Sequence, residues 1–139
     1  MDTSRSLTSL LARVIVGMIF AMHGWQKLHT NGVDNVAHGF EAGGIPLPRF
    51  SAIYATWTEF AGGIFLIVGV AVPLVSILLI INMVGAIVTV NAANGFWNTD
   101  GGYEFPLALI AALIIIGLAD SGRTGVDGLV LSRRSKRTT

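Results

Sequence analysis

Few residues in this chain could do chemistry, and most of those lie inside long apolar runs. His23 and Lys27 close the first run, Glu59 sits within the second, and Asn82 lies within the third. Tyr103 and Glu104 stand at the mouth of the fourth, after a loop carrying Trp97. An ionisable side chain inside a membrane span is costly, so it turns inward, takes a partner and marks a candidate functional site. A lone Glu59 carboxylate in lipid must be paired or protonated, and Lys27 or His23 is its natural partner. The candidate catalytic set is therefore Glu59, His23 and Lys27, with Glu104, Tyr103, Trp97 and Asn82 as candidate ligand contacts. Arg13 and Asp120 lie toward the other end of their runs and read as balancing structural charges. The alternative reading is structural: a buried Glu–Lys or Glu–His pair can do no more than fix helix register, and Lys27 can snorkel to the surface.

Other chemistries are excluded or weakened. The chain has no cysteine, which removes disulfides, thiolate metal sites and a dithiol relay. His23 is the sole histidine within a run, and His29 and His38 lack companions at ligand spacing, so neither a bis-histidine haem nor another metal site is expected. No phosphate-binding loop, dinucleotide fingerprint or nucleophile elbow occurs. The basic run from Arg133 to Arg137 reads as an orientation signal and an anchor to anionic lipid, not as a nucleic-acid site.

These side chains need elements that can hold them. Of 139 residues, 53% are hydrophobic and only 12% charged, about half the usual charged share. Mean hydropathy is +0.69. Spans are expected at about 7–28, 50–70, 73–92 and 105–119, close to the roughly 20 residues a bilayer requires. The fourth is short. A soluble bundle would need polar outer faces, and residues 73–90 offer only Ser76, Asn82 and Thr89. The first run is longer than a signal-peptide core and lacks a small-x-small cleavage site, so it reads as a retained helix. The expected fold is an all-α, four-transmembrane-helix antiparallel bundle. Seven basic residues flank the side bearing the termini, against Lys27 and Arg49 on the other, so both termini are expected in the cytoplasm.

The connections carry their own signals. Val33, Val36, Ala37 and Phe40 form one apolar stripe, which predicts a short outer amphipathic helix ended by Gly43-Gly44. Gly69 to Pro73 is a tight hairpin. Residues 91–103, rich in Asn, Gly and aromatic rings, predict a turn-rich lid at the headgroup level. Within the spans, Gly17, Ala21 and Gly24 share a face of the first. Glu59 shares one with Gly62, Gly63, Leu66 and Gly69 in the second, a smooth strip for close helix approach. Asn82, Gly85, Ala86, Thr89 and Ala93 share one in the third, with Asn91 pointing away unless the helix has already ended, and an alanine stripe (Ala108, Ala111, Ala112, Ala119) runs along the fourth. Glu59 lies about nine residues, roughly 13 Å, below the start of its span. His23, Lys27, Glu59 and Glu104 can thus meet in the outer half.

In order and spacing these motifs resemble the DoxX family of bacterial membrane proteins. The resemblance rests on Arg13 with Gly17, His23-Gly24-x-x-Lys27-Leu28, Gly44-Ile45-Pro46-x-Pro48, Glu59-x-x-Gly62-Gly63, and the lid from Asn94-Gly95-Phe96 to Tyr103-Glu104. The family's Gly-Pro-Gly-like stretch and Ser-x-Asp are replaced here by the segment from Asp120 to Asp127. The resemblance implies a four-helix domain over residues 1–127 in the bacterial plasma membrane, followed by a basic cytoplasmic tail over 128–139. It also implies a redox setting, since relatives are associated with quinone-linked sulfur oxidation and with complexes that detoxify oxidants. The expected role is a membrane subunit of an oxidoreductase assembly, with no intrinsic cofactor and with quinone as a candidate ligand. Two alternatives stay open: a non-catalytic scaffold of a respiratory complex, or a permease-like bundle that binds small molecules or lipid, acting as a homo-oligomer.

Overall fold

In the computed structural model, residues 3–119 and 126–136 are described, and they are helical almost throughout. Helix α1 (Thr3–Trp25) runs directly into a π-helical turn (Gln26–Asn31), giving an unbroken apolar helix to Asn31. A short helix α2 (Val33–Ala42) follows, then α3 (Pro48–Val68) and α4 (Val72–Ala86). A second π-helical turn (Ile87–Asn91) and a single 3-10 turn carry α4 on to Asn94. Helix α5 (Glu104–Leu113) also ends in a π-helical turn (Ile114–Ala119), and α6 (Val126–Ser135) completes the described chain. Three of these helices, Thr3–Asn31, Pro48–Val68 and Val72–Asn94, are long and apolar enough to cross a membrane, and Glu104–Leu118 is a shorter apolar helix.

Local sequence explains the boundaries. Pro48 opens α3 and Pro73 lies in the first turn of α4, where a missing N–H costs nothing. Gly69 closes α3 at φ 82°, and its N–H and that of Val70 both bond the Phe65 carbonyl, at 2.8 and 2.9 Å. Helix α2 stops at Ala42 before Gly43-Gly44 as expected, and Val33, Val36, Ala37 and Phe40 are its half-buried face while the positions between are exposed. Helix α6 spans Val126–Ser135, across the 127/128 position.

Packing runs from α1 to α3 to α4 to α5, with α2 laid across α3. Phe20, Leu66, Leu79 and Leu113 are fully buried where these helices meet. The α1–α3 interface is the most extensive and is built on backbone approach. A Cβ on Gly17 would lie 2.6 Å from the Gly63 carbonyl oxygen, and one on Gly24 would lie 2.6 Å from the Phe60 Cα. The smooth strip of α3 serves two neighbours: Gly63 faces α1, whereas Gly62 faces Val75 and Leu79 of α4. On the fourth apolar helix the buried residues are Leu109, Leu113, Ile116 and Gly117, while Ala108 and Ala111 are exposed. Of the alanine stripe, Ala112 is half-buried against this core, while Ala108 and Ala111 lie on the outer side.

Gly63→Ala should be costly, since its Cβ would strike backbone atoms of Gly17 and Ala21 that cannot rotate away. A loss of about 1–3 kcal/mol or more is expected in detergent unfolding. Gly62→Ala, whose nearest neighbour is the Val75 side chain at 3.3 Å, should cost less. Equal stability of the two variants would rule out the close α1–α3 approach.

Candidate functional site

Glu59 lies midway along α3 on its buried face and is 3% exposed. Both carboxylate oxygens are engaged from different helices. Lys27, in the π-helical turn after α1, donates to Oε2 at 2.5 Å, and Asn82 of α4 donates through Nδ2 to Oε1 at 2.8 Å. The ammonium partner meets the buried charge, and the amide fills the remaining acceptor. The Lys27 side chain stays 23% exposed, so one end of the pair reaches out of the packed interior.

That end opens on a cavity of about 450 Å³ between α3 and α4. Lys27, Glu59 and Asn82 form its polar end, and Phe40, Phe50, Ile81 and the flank of Tyr54 give it apolar walls. The Tyr54 hydroxyl donates across to the Leu78 carbonyl at 3.1 Å, which ties α3 to α4 beside the site. Asn91 also lines the cavity, although straight α-helical projection turns it away. The π-helical turn over Ile87–Asn91 rotates it inward. An apolar cleft with few convergent polar groups is the usual form of a small-ligand site.

His23, expected beside Glu59, is exposed. Its Nδ1 bonds the Ile19 carbonyl at 2.9 Å and its ring stands 6.1 Å from that of Phe105 on α5. Because a carbonyl only accepts, Nδ1 carries the proton and Nε2 is left as an acceptor when the ring is neutral. His23 lies in regular α1, whereas Lys27 lies in the π-helical turn that begins at Gln26, so the two side chains part. Glu104 is likewise held elsewhere: its Oε2 accepts from the Asn98 N–H at 3.0 Å, within the lid. There Tyr103 N–H bonds the Gly95 carbonyl, Glu104 N–H bonds that of Phe96, and Asn91 bonds the Gly101 and Gly102 carbonyls at 2.9 and 3.2 Å. Phe96 stacks edge-on against both Trp97 and Tyr103. Of the four expected ligand contacts, Asn82 lines the cavity, whereas Trp97, Tyr103 and Glu104 belong to the lid and are not among its lining residues.

Arg13 is deeply buried on α1, at 2% exposure. Among the described residues, the Asp127 carboxylate acts on it electrostatically. Asp120, the expected counter-charge, lies outside the described residues. Asp127 also accepts from the backbone N–H groups of Ala71 and Val72, both at 2.9 Å, and its own N–H bonds the Gly69 carbonyl at 3.0 Å. It thereby caps the start of α4 from another part of the chain and pins α6 to the α3–α4 hairpin. The sequence signal was the uncharged hairpin itself, whose free amides needed an acceptor from elsewhere. Among the described residues, no three His, Cys, Asp or Glu side chains converge as metal ligands.

Fold and site together define a multi-pass helical membrane protein with a buried acid–amine–amide cluster at the end of an apolar cavity. The chain belongs to the DoxX family, whose model matches residues 8–92. It is 33% identical over 130 residues to "Putative oxidoreductase CatD" of Bacillus subtilis, covering 94% of this chain and 92% of that protein. It is 30% identical over 138 residues to "Uncharacterized membrane protein Rv3486" of Mycobacterium tuberculosis, covering 91% and 81%. No solved structure matches the chain.

Lys27→Met should strand the Glu59 charge and lower stability by about 3–5 kcal/mol in detergent unfolding. Pairing it with Glu59→Gln should recover much of that loss. Additive effects in the double variant would show that the two groups are not coupled. Asp127→Ala should cost about 1 kcal/mol. It should also speed hydrogen exchange at the Ala71 and Val72 amides, and unchanged exchange there would remove the cap.

Proposed function

We propose that this DoxX protein is the membrane subunit of an oxidoreductase assembly and that its cavity takes a quinone. The observation that carries this reading is Glu59, buried yet held by Lys27 and Asn82 at the polar end of an apolar cavity of about 450 Å³. A pair kept only for register would need no cavity beside it. In this reading the chain is a four-helix antiparallel bundle in the bacterial plasma membrane, with both termini cytoplasmic, as the excess of basic residues on the terminal side favours. The Glu104–Leu118 helix, about 22 Å at 1.5 Å per residue, is short for a hydrocarbon core of about 30 Å. Local thinning of the bilayer and the lid above it make up the difference.

A bound quinone supplies two-electron, two-proton redox chemistry. The chain's own part is binding and proton handling. Lys27 and Asn82 present N–H donors to an oxygen-bearing head. Glu59 holds or releases a proton at its carboxylate oxygens, with Lys27 offsetting the charge when the proton is gone. Phe40, Phe50 and Ile81 keep bulk water from the ring. The chain carries no cysteine pair to relay electrons, so they would come from a partner or from a diffusible quinone. The B. subtilis relative's name, an oxidoreductase, supports this class.

A scaffold reading draws on one observation: Trp97 is 63% exposed on a lid held rigid by its own hydrogen bonds. The two readings part experimentally. Mild detergent extraction should yield protein carrying quinone, and cells with Glu59→Gln should lose oxidant resistance to the level of a deletion. No quinone, with unchanged resistance in Glu59→Gln, defeats the redox reading. A partner lost only on Trp97→Ala, with Glu59→Gln harmless, supports the scaffold.

A further inference from the structure

Glycine inside a helix weakens it relative to alanine, because more backbone freedom is lost on folding. Within the apolar helices Gly17, Gly24, Gly62 and Gly63 each meet a neighbouring helix closely, and Gly117 meets Ser76. Gly85 has no such reason. It lies in α4, three residues beyond Asn82, yet a Cβ built on it would meet no atom within 4 Å. Gly39 of α2 is also surrounded by open space, but Gly39 does not line the cavity and Gly85 does. The missing side chain at Gly85 thus widens the cavity at a point where no protein atom uses the room. Thr89 donates to the Gly85 carbonyl at 2.6 Å, so the bare backbone there presents no unsatisfied acceptor to an apolar guest.

The cavity is also lined by Phe50 of α3 and Ile81 of α4, 66% and 55% exposed. In a multi-pass membrane protein an exposed apolar rim between two spans faces hydrocarbon, not water. At the inner end Glu59 and Lys27 already neutralise one another, so the head that fits there is neutral and oxygen-bearing, served by the remaining N–H donors of Lys27 and Asn82.

We propose that the cavity seats a chain-bearing amphiphile taken sideways from the bilayer, its neutral head at Lys27, Glu59 and Asn82 and its apolar chain over Gly85, leaving between Phe50 and Ile81. This rests on the cavity being a ligand site, as in the proposed function, and adds the chain and its route. Any long-chain ligand with such a head shares the required chemistry, so a quinone and a neutral glycerolipid are separated by the test.

The test is native mass spectrometry of the full chain in mild detergent, wild type against Gly85→Leu, with thermal unfolding as the folding control and Gly85→Ala as a milder variant. The probes are a menaquinone bearing a four-isoprene chain and menadione, the same ring without the chain. Wild type should bind the chain-bearing probe at least about tenfold more tightly than menadione, because each buried methylene adds affinity. Gly85→Leu should lose that binding while unfolding no earlier than wild type, and Gly85→Ala should retain most of it. If Gly85→Leu misfolds, a graded loss in a folded Gly85→Ala carries the inference, and undiminished binding by Gly85→Ala overturns it. Equal affinity for menadione, undiminished binding by Gly85→Leu, or no binding of any lipid overturns it too. So does a wild-type dimer with an empty cavity that Gly85→Leu splits. A copurifying glycerolipid displaced in Gly85→Leu, with no quinone bound, sustains this inference and defeats the quinone reading.

Discussion

A carboxylate taken out of water must be met by donors or it will not stay ionised, and Glu59 sets that demand on the rest of the molecule. Meeting it takes three helices. Lys27 comes from the end of α1, Asn82 from α4, and Glu59 itself from the middle of α3. A lysine on a neighbouring helix reaches a mid-helix carboxylate only if the backbones are close, and the facing pair Gly17 and Gly63, with Gly24 against Phe60, brings them there. The glycines and the ion pair are thus one device, and loss of either leaves the other purposeless.

The opposite end of the bundle solves a different problem by similar means. The α3–α4 hairpin is too tight to cap its own amides: Ala71 sits at φ 48° and Gly69 at φ 82°. Asp127 supplies both missing acceptors from far along the chain while its charge acts on buried Arg13. At each end, then, one carboxylate joins elements that are remote in sequence. Between the two lies a mainly apolar layer around Phe20, Leu66 and Leu79, with Ser76 buried against Gly117. Hydrophobic packing alone sets few constraints on register in a chain whose surroundings are equally apolar, so the polar contacts carry that specification.

Sequence patterning disclosed the apolar runs, the short amphipathic helix with its face of Val33, Val36, Ala37 and Phe40, the hairpin and the Glu59–Lys27 pairing, because each depends on spacing along one element or on charge that must be met. The face of Asn82, Gly85, Ala86 and Thr89 was legible too, and all four line the cavity. What escaped were turns and partners that a fixed 100° increment cannot express. Asn91 turns away in a projection that assumes an unbroken α-helix, whereas a π-helical turn begins at Ile87; His23 lies in regular α1 but bonds back to the Ile19 carbonyl. Glu104 is expected in the cluster from its depth at the outer mouth of span four, but the Asn98 amide takes it within the lid. The hairpin signalled that an acceptor was needed, but nothing local identified Asp127 as the one.

The π-helical turns deserve a physical account, since a wider turn gives up regular hydrogen bonding where little water can replace it. Each occurs where a side chain or backbone must meet something off the α-helical register. The first carries Lys27 to Glu59, the second carries Asn91 to the cavity and the lid, and the third presents Gly117 to Ser76. The freed groups are taken up locally, as the Ala92 N–H is by the Ile87 carbonyl and the Gly85 carbonyl by Thr89. Two of the three border the polar site or its cavity. The first two turns place polar groups at the site and the third allows a close helix contact, so the wider turns fall where a regular helix would miss its partner.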